Sequence, residues 1–222
     1  MPMFTKISNK ELFWGGLYAL ISTFALPTLL EHFSLSDSSI NCILFVSNFL
    51  FMCLALHGFL RKNLKNAAKK WAQTLLWFIL GLTLYFLSTG VLQYLVSALF
   101  PSFSNLNDGH VNAQLDAAPV LATVSVAFLA PVAEELLYRG LLFRGLYSSS
   151  RAAAWCVSAG LFSLSHVLGY LGLYGPEHAL IAFVLYLPAG ICLNLAYRKS
   201  GNIITPMLMH IAINITGLVL MR

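Results

Sequence analysis

Seven apolar runs, separated by short polar segments, account for most of the chain. They are 12–30 (LFWGGLYALISTFALPTLL), 40–60 (INCILFVSNFLFMCLALHGFL) and stretches at about 74–99, 118–138, 152–171, 178–197 and 203–221. A helix needs about 20 apolar residues to cross the hydrocarbon core, and each run is close to that length. The pattern predicts an all-α polytopic membrane bundle of about seven transmembrane helices, or six to eight if the third or fourth run is re-entrant. Local signals agree. Ser8-Asn9-Lys10-Glu11 is a capping-box pattern at the start of the first run. Pro119 sits where a fourth helix would begin, a position that tolerates proline. The segment 101–117, PSFSNLNDGHVNAQLDA, reads as a polar loop. RKNLKNAAKK (61–70) reads as an amphipathic linker lying on anionic lipid.

Composition supports the membrane reading. The chain has 222 residues, 59% of them hydrophobic and 9% charged, against about 25% charged in a soluble domain. The formal charge of +5 would suggest nucleic acid in a soluble protein. Here the basic residues fall between apolar runs, so they set topology and no nucleic-acid partner is expected. With the N-terminus in the cytoplasm, Lys6, Lys10, Arg61, Lys62, Lys65, Lys69, Lys70, Arg139, Arg144, Arg151, Arg198 and Lys199 all fall inside. Only Arg222 falls outside, and Glu31, Asp37, Asp108, Asp116 and Glu177 lie in outer loops, as the positive-inside rule requires. The expected location is the cell membrane, as a multi-pass protein. The first run is long, weakly charged at its flank and followed by no small-residue cleavage site, so it reads as a retained helix. Cys42, Cys53, Cys156 and Cys192 lie inside apolar runs and give no disulfide framework.

Ionisable groups inside such runs are costly and mark function. Glu134, Glu135 and Arg139 close the fourth run, His166 lies in the fifth, and His210 and Asn214 lie in the seventh. Glu135 and Arg139 are four apart and share a helix face. Glu134 is rotated by about 100° and cannot share that contact equally. One glutamate is therefore held and the other left free. His210 and Asn214 are also four apart, and Phe162 stands four before His166, where its ring can exclude water. Asn48 and Asn194 read as interhelical hydrogen bonders, and Gly190 beside Ala189 as a close helix contact. Together these groups suffice for peptide hydrolysis by activated water. A carboxylate takes the proton, a histidine orients the water, and a second histidine with an amide stabilises the oxyanion.

EELLYR (134–139), FSLSH (162–166) and HIAIN (210–214) fit EExxxR, FxxxH and HxxxN in order. In this the chain resembles the CPBP family of CAAX prenyl proteases and bacteriocin-processing or self-immunity (Abi) proteins, over about 118–220. The resemblance divides the chain into N-terminal helices with a basic linker (1–117) and a catalytic core (118–222), within one membrane domain. It implies a site recessed from the cytoplasmic side, with Glu134 as general base and Glu135 and Arg139 supporting it. It implies that His166 positions the water and that His210 and Asn214 form the oxyanion site. The sequence has no HExxH pair, and a metal-free reaction without cofactor is expected. If zinc is used, its ligands are Glu134, His166 and His210. The expected partners are the bilayer and a peptide or membrane-protein substrate, prenylated or leader-like. Two other functions compete: non-catalytic bacteriocin immunity, and a proton-relay transporter, the latter disfavoured by the lack of an internal repeat.

Overall fold

The computed structural model describes residues 4–33, 35–172 and 175–220; Arg222 and the last residue of the seventh run lie outside them. Among the described residues the chain is helical and forms no strand. Helix α1 (Asn9–Glu31) starts at the capping box. Ser8 Oγ accepts the Glu11 N–H, and Glu11 accepts the Ser8 N–H at 2.8 Å. Glu11 also accepts the Phe59 N–H at 2.6 Å, in the first turn of a second helix. One buried carboxylate thus satisfies orphan donors at two helix starts and fixes their relative position.

Helix α2 (Asp37–Ala55) turns by 80° into α3 (His57–Lys69), the basic amphipathic segment. Its buried face carries Phe59, Asn63 and Ala67. The asparagines on that side act as a clamp. Asn63 Oδ1 accepts the Ile203 N–H at 3.0 Å, and Asn66 Nδ2 donates to the Gly201 carbonyl at 3.0 Å. Helix α4 (Trp71–Leu99) follows and packs along the last two helices of the chain.

The segment 101–117 is not only loop. It contains α5 (Leu106–Ala117), capped by Asn105 Oδ1, which accepts the Asn107 N–H at 3.2 Å. Asp108 in its first turn complements the helix dipole. Helix α6 (Pro119–Tyr147) likewise runs beyond 138, where the fourth run was expected to end. The charged motif therefore lies in mid-helix, and Arg139 is fully buried rather than part of a cytoplasmic loop. The fold supplies partners that water would otherwise have to provide. Within α6, Ser125–Leu129 and Leu136–Phe143 are π-helical, a local widening common at functional sites.

Helix α7 (Arg151–Ser165) is shorter than the expected 152–171 run, because His166 caps it and a turn follows. At 15 residues, or about 22 Å, it is shorter than the roughly 30 Å hydrocarbon core. Helix α8 (Pro176–Ser200) ends on Gly201, whose φ of 71° is a left-handed cap, and α9 (Ile204–Leu220) completes the fold. By length and hydropathy α1, α4, α6 and α8 can cross a membrane, and α2 with α3 counts as a fifth bent span; α7 and α9 are shorter. Exposed Phe24, Leu54, Leu87 and Tyr94 suit lipid contact. On the basic side, Leu56, Phe59, Leu136, Phe143, Tyr197 and Ile203 are fully buried and pack into one core.

Candidate active site

The motif residues converge on one cavity of about 700 Å³. Glu134, Phe162, His166, His210 and Asn214 line it, while Glu135 and Arg139 stand directly behind. The two glutamates differ as their helical phase requires. Glu135 is fully buried, and its Oε1 accepts from Arg139 Nη1 at 2.8 Å and from His210 Nδ1 at 2.9 Å. Glu134 has a 28% exposed side chain, and its buried Oε2 has no hydrogen-bond partner.

Arg139 is the hub. Besides Glu135, it donates from Nε to Asn194 Oδ1 at 3.1 Å and from Nη2 to the Gly190 carbonyl at 3.1 Å. Its guanidinium lies 4.7 Å from the Phe162 ring centre, a cation–π contact. Ser158 donates to the same Asn194 oxygen at 2.9 Å. Asn194 is thus the interhelical hydrogen bonder expected, and its partner is the site arginine. Gly190 permits this approach, since a Cβ there would lie 3.0 Å from Ala159. The sequence reading assigned Ser158 no role. Its position four residues before Phe162 and eight before His166, on one face of α7, was the available signal.

Both histidines are oriented through Nδ1. His166 Nδ1 lies 2.8 Å from the Phe162 carbonyl oxygen. A carbonyl only accepts, so Nδ1 carries the hydrogen and Nε2 is free to accept in the neutral ring. The ring stacks on Tyr186 at 4.4 Å, and Tyr186 meets Asn105 at the start of α5. His210 Nδ1 is fixed on Glu135, while its Nε2 points toward Glu134 Oε2 at 3.9 Å. That separation exceeds a direct hydrogen bond.

Asn214 has a structural task as well. Its Nδ2 donates to the Val126 carbonyl at 2.8 Å. Ser125 O accepts the Ala130 N–H in the π register. The next rung would need an N–H from Pro131, which has none. Asn214 supplies the missing donor and keeps its second N–H for the cavity. Among the described residues no three His, Cys, Asp or Glu side chains come together to hold a metal. As folded, the trio Glu134, His166 and His210 does not fit zinc.

Residues 116–216 match the family model described as Type II CAAX prenyl endopeptidase Rce1-like. This match supports the resemblance of the C-terminal half of the chain to the CPBP family. The chain is also similar to the UPF0177 protein YxdF of Lactococcus lactis subsp. lactis (strain IL1403). Identity is 25% over 159 residues, covering 69% of this chain and 81% of that protein. No solved structure matches the chain. The CPBP match begins at the end of α5 and includes all seven site positions, so the cavity wall formed by α1, α2 and α4 comes from outside the matched region.

Proposed function

We propose that this membrane protein is a CPBP-family intramembrane endopeptidase that hydrolyses peptide bonds with water activated by Glu134. The carrying observation is the asymmetry of the glutamate pair. Glu135 is fully buried with its Oε1 held by Arg139 and His210, while Glu134 keeps a 28% exposed side chain on the cavity wall, its Oε2 3.9 Å from His210 Nε2. A water there gives its proton to Glu134 as its oxygen attacks the carbonyl carbon. The tetrahedral oxyanion takes a hydrogen bond from the second Asn214 N–H, beside the His210 ring that Glu135 orients. The C–N bond then breaks as the proton on Glu134 passes to the leaving nitrogen, giving a carboxylic acid and an amine, and transfer of the acid's proton to the amine leaves a carboxylate and an ammonium. His166, with Nε2 free, steadies the water from the other side. No step runs through a metal.

The substrate class is a membrane-associated peptide, prenylated or leader-like. The chain sits in the cell membrane with its basic face and N-terminus in the cytoplasm. The test is cleavage of a panel of prenylated and leader peptides by purified protein, with and without phenanthroline. Glu134→Gln should lower turnover by about 10²–10⁴-fold, the usual contribution of a general base, with little change in stability. Equal cleavage by both proteins would refute the assignment, and loss with chelator would restore a metal. Bacteriocin immunity that survives Glu134→Gln would favour a non-catalytic role.

A further inference from the structure

His166 follows the last residue of α7, and its own helix holds the ring at one atom. Its Nδ1 donates to the Phe162 carbonyl at 2.8 Å. That bond fixes one corner of the imidazole and leaves the ring able to tilt about it. Nε2, on the far side of the ring, moves with any tilt. Phe162 meets the imidazole at a steep 48°. The near-parallel contact comes from Tyr186 of α8, whose ring stacks on the imidazole at 4.4 Å with 27° between the planes. Tyr186 is fastened in its turn. Asn105 Nδ2 donates to the Tyr186 hydroxyl at 3.2 Å, and the same hydroxyl lies 3.5 Å from Asn105 Oδ1. Asn105 caps α5, and the two residues before it are tied to α8 as well. His178 Nε2 donates to the Ser104 carbonyl at 2.9 Å, and the Phe103 ring lies 4.5 Å from the His178 ring. His178 and Tyr186 are eight apart and share a face of α8, so residues 103–105 form a strap along that face. His166, Tyr186 and Asn105 all line the cavity. Tyr186 belongs to none of the three motifs, and Asn105 lies outside the matched residues 116–216.

We infer, resting on the endopeptidase reading above, that Tyr186 is a positioning residue for that reaction. Its ring sets the angle of the His166 imidazole, and so the place where Nε2 can accept a hydrogen bond from the attacking water. Asn105 sets the place of Tyr186. Tyr186 acts on the water only through His166. Stacking suits this task because it prefers a particular ring arrangement and uses neither imidazole nitrogen. Nδ1 stays on the Phe162 carbonyl, and Nε2 stays free to accept. The contact need not be strong to matter, since a reacting group misplaced by about 1 Å can cost about 10²-fold in rate. The strap thus gives the segment before α5 a part in the chemistry, although it stands far from the motifs in the chain.

Histidine NMR tests this without relying on turnover. The full chain is labelled with carbon-13 and nitrogen-15 at its six histidines, and His166→Gln identifies the His166 signals by their loss. In the wild type those signals should show one tautomer, protonated at Nδ1, and ring protons shifted upfield by the Tyr186 ring. Tyr186→Leu should abolish the upfield shift and bring in exchange between tautomers. Tyr186→Phe keeps the ring and loses the Asn105 link, so its shift should be smaller than in the wild type. Asn105→Ser keeps a capping hydroxyl for α5 and should match Tyr186→Phe, and the two together should do no more than either alone. In cleavage assays Tyr186→Leu should lower kcat about tenfold and leave KM within about twofold, as fits a group that acts in the transition state. Unchanged His166 signals in Tyr186→Leu, a loss carried by KM, or additive effects of Asn105→Ser and Tyr186→Phe would each overturn the inference. If Tyr186→Leu fails to fold, the Tyr186→Phe and Asn105→Ser pair decides. Absence of cleavage by the wild type would count against the peptidase reading, and the His166 signals decide the positioning separately.

Discussion

Arg139→Met removes a buried cation while keeping most of the side-chain stem. In the native fold the guanidinium is fully buried and binds Glu135, Asn194 and the Gly190 carbonyl at 2.8, 3.1 and 3.1 Å. After the change Asn194 Oδ1 still has the Ser158 hydroxyl, so its loss is small. Glu135 is left as a buried carboxylate with only His210 as partner. Removing one member of a buried ion pair costs about 3–5 kcal/mol, chiefly from the bare charge left behind. Adding Glu135→Gln removes that charge, and the double variant should recover at least about 2 kcal/mol of the loss. Unfolding in detergent can be followed by tryptophan fluorescence, since Trp155 packs edge-on against Phe143 at 5.5 Å, beneath the site. Both variants should lose cleavage, because His210 loses its anchor in one and Glu134 loses its geometry in the other. A cost below about 1 kcal/mol for Arg139→Met, or a double variant no more stable than the single, would refute this electrostatic account.

Two further changes probe the supports of the site. Asn214→Ala should cost about 1–3 kcal/mol by orphaning the Val126 carbonyl, and Pro131→Ala in the same chain should restore part of it by supplying the missing N–H; a double variant no better than Asn214→Ala in a thermal melt would exclude the π-rung explanation. Gly190→Ala places a methyl against the Ala159 backbone at 3.0–3.1 Å, so α7 and α8 must part, and stability should fall by about 1–3 kcal/mol together with cleavage; a variant with wild-type melting would show that the contact is slack.

The helices and the site were legible in the sequence to different depths. Runs at 12–30 and 178–197 became helices because about twenty apolar residues leave little alternative in a bilayer, whereas the 40–60 run breaks at Leu56 with an 80° turn. The Ser8–Glu11 box was readable because both partners lie within four residues. Glu11 bonding to Phe59 was not, since that contact spans 48 positions. Separation in the chain likewise hid Asn194 as the partner of Arg139, 55 positions away, and Ser158 as a donor to the Tyr138 carbonyl, 20 positions away. Charges at 134–139 read as the end of a span because an unpaired charge seeks the interface, and here tertiary partners remove that need. Helix α5 was missed because LNDGHVNAQLDA has no apolar periodicity, and its start rests on the Asn105 cap. The π segments shift hydrogen bonding by one residue, too small a change to disturb a hydrophobic pattern. Asn214 looked free for chemistry because nothing in HIAIN reveals that Pro131, on another helix, lacks the donor that Val126 requires.

The core of Leu56, Phe59, Leu136, Phe143, Tyr197 and Ile203, packed beneath the site, has a consequence for the membrane that holds it. Two carboxylates and two histidines partway across a bilayer resemble the wiring of a proton pathway. A continuous wet path past them would discharge the transmembrane potential. The floor of packed aromatic and aliphatic side chains offers no such path, and the Arg139 guanidinium just above it is a fixed positive charge that repels a migrating proton. The packed core therefore lets these polar groups sit within the bundle without short-circuiting the membrane around it.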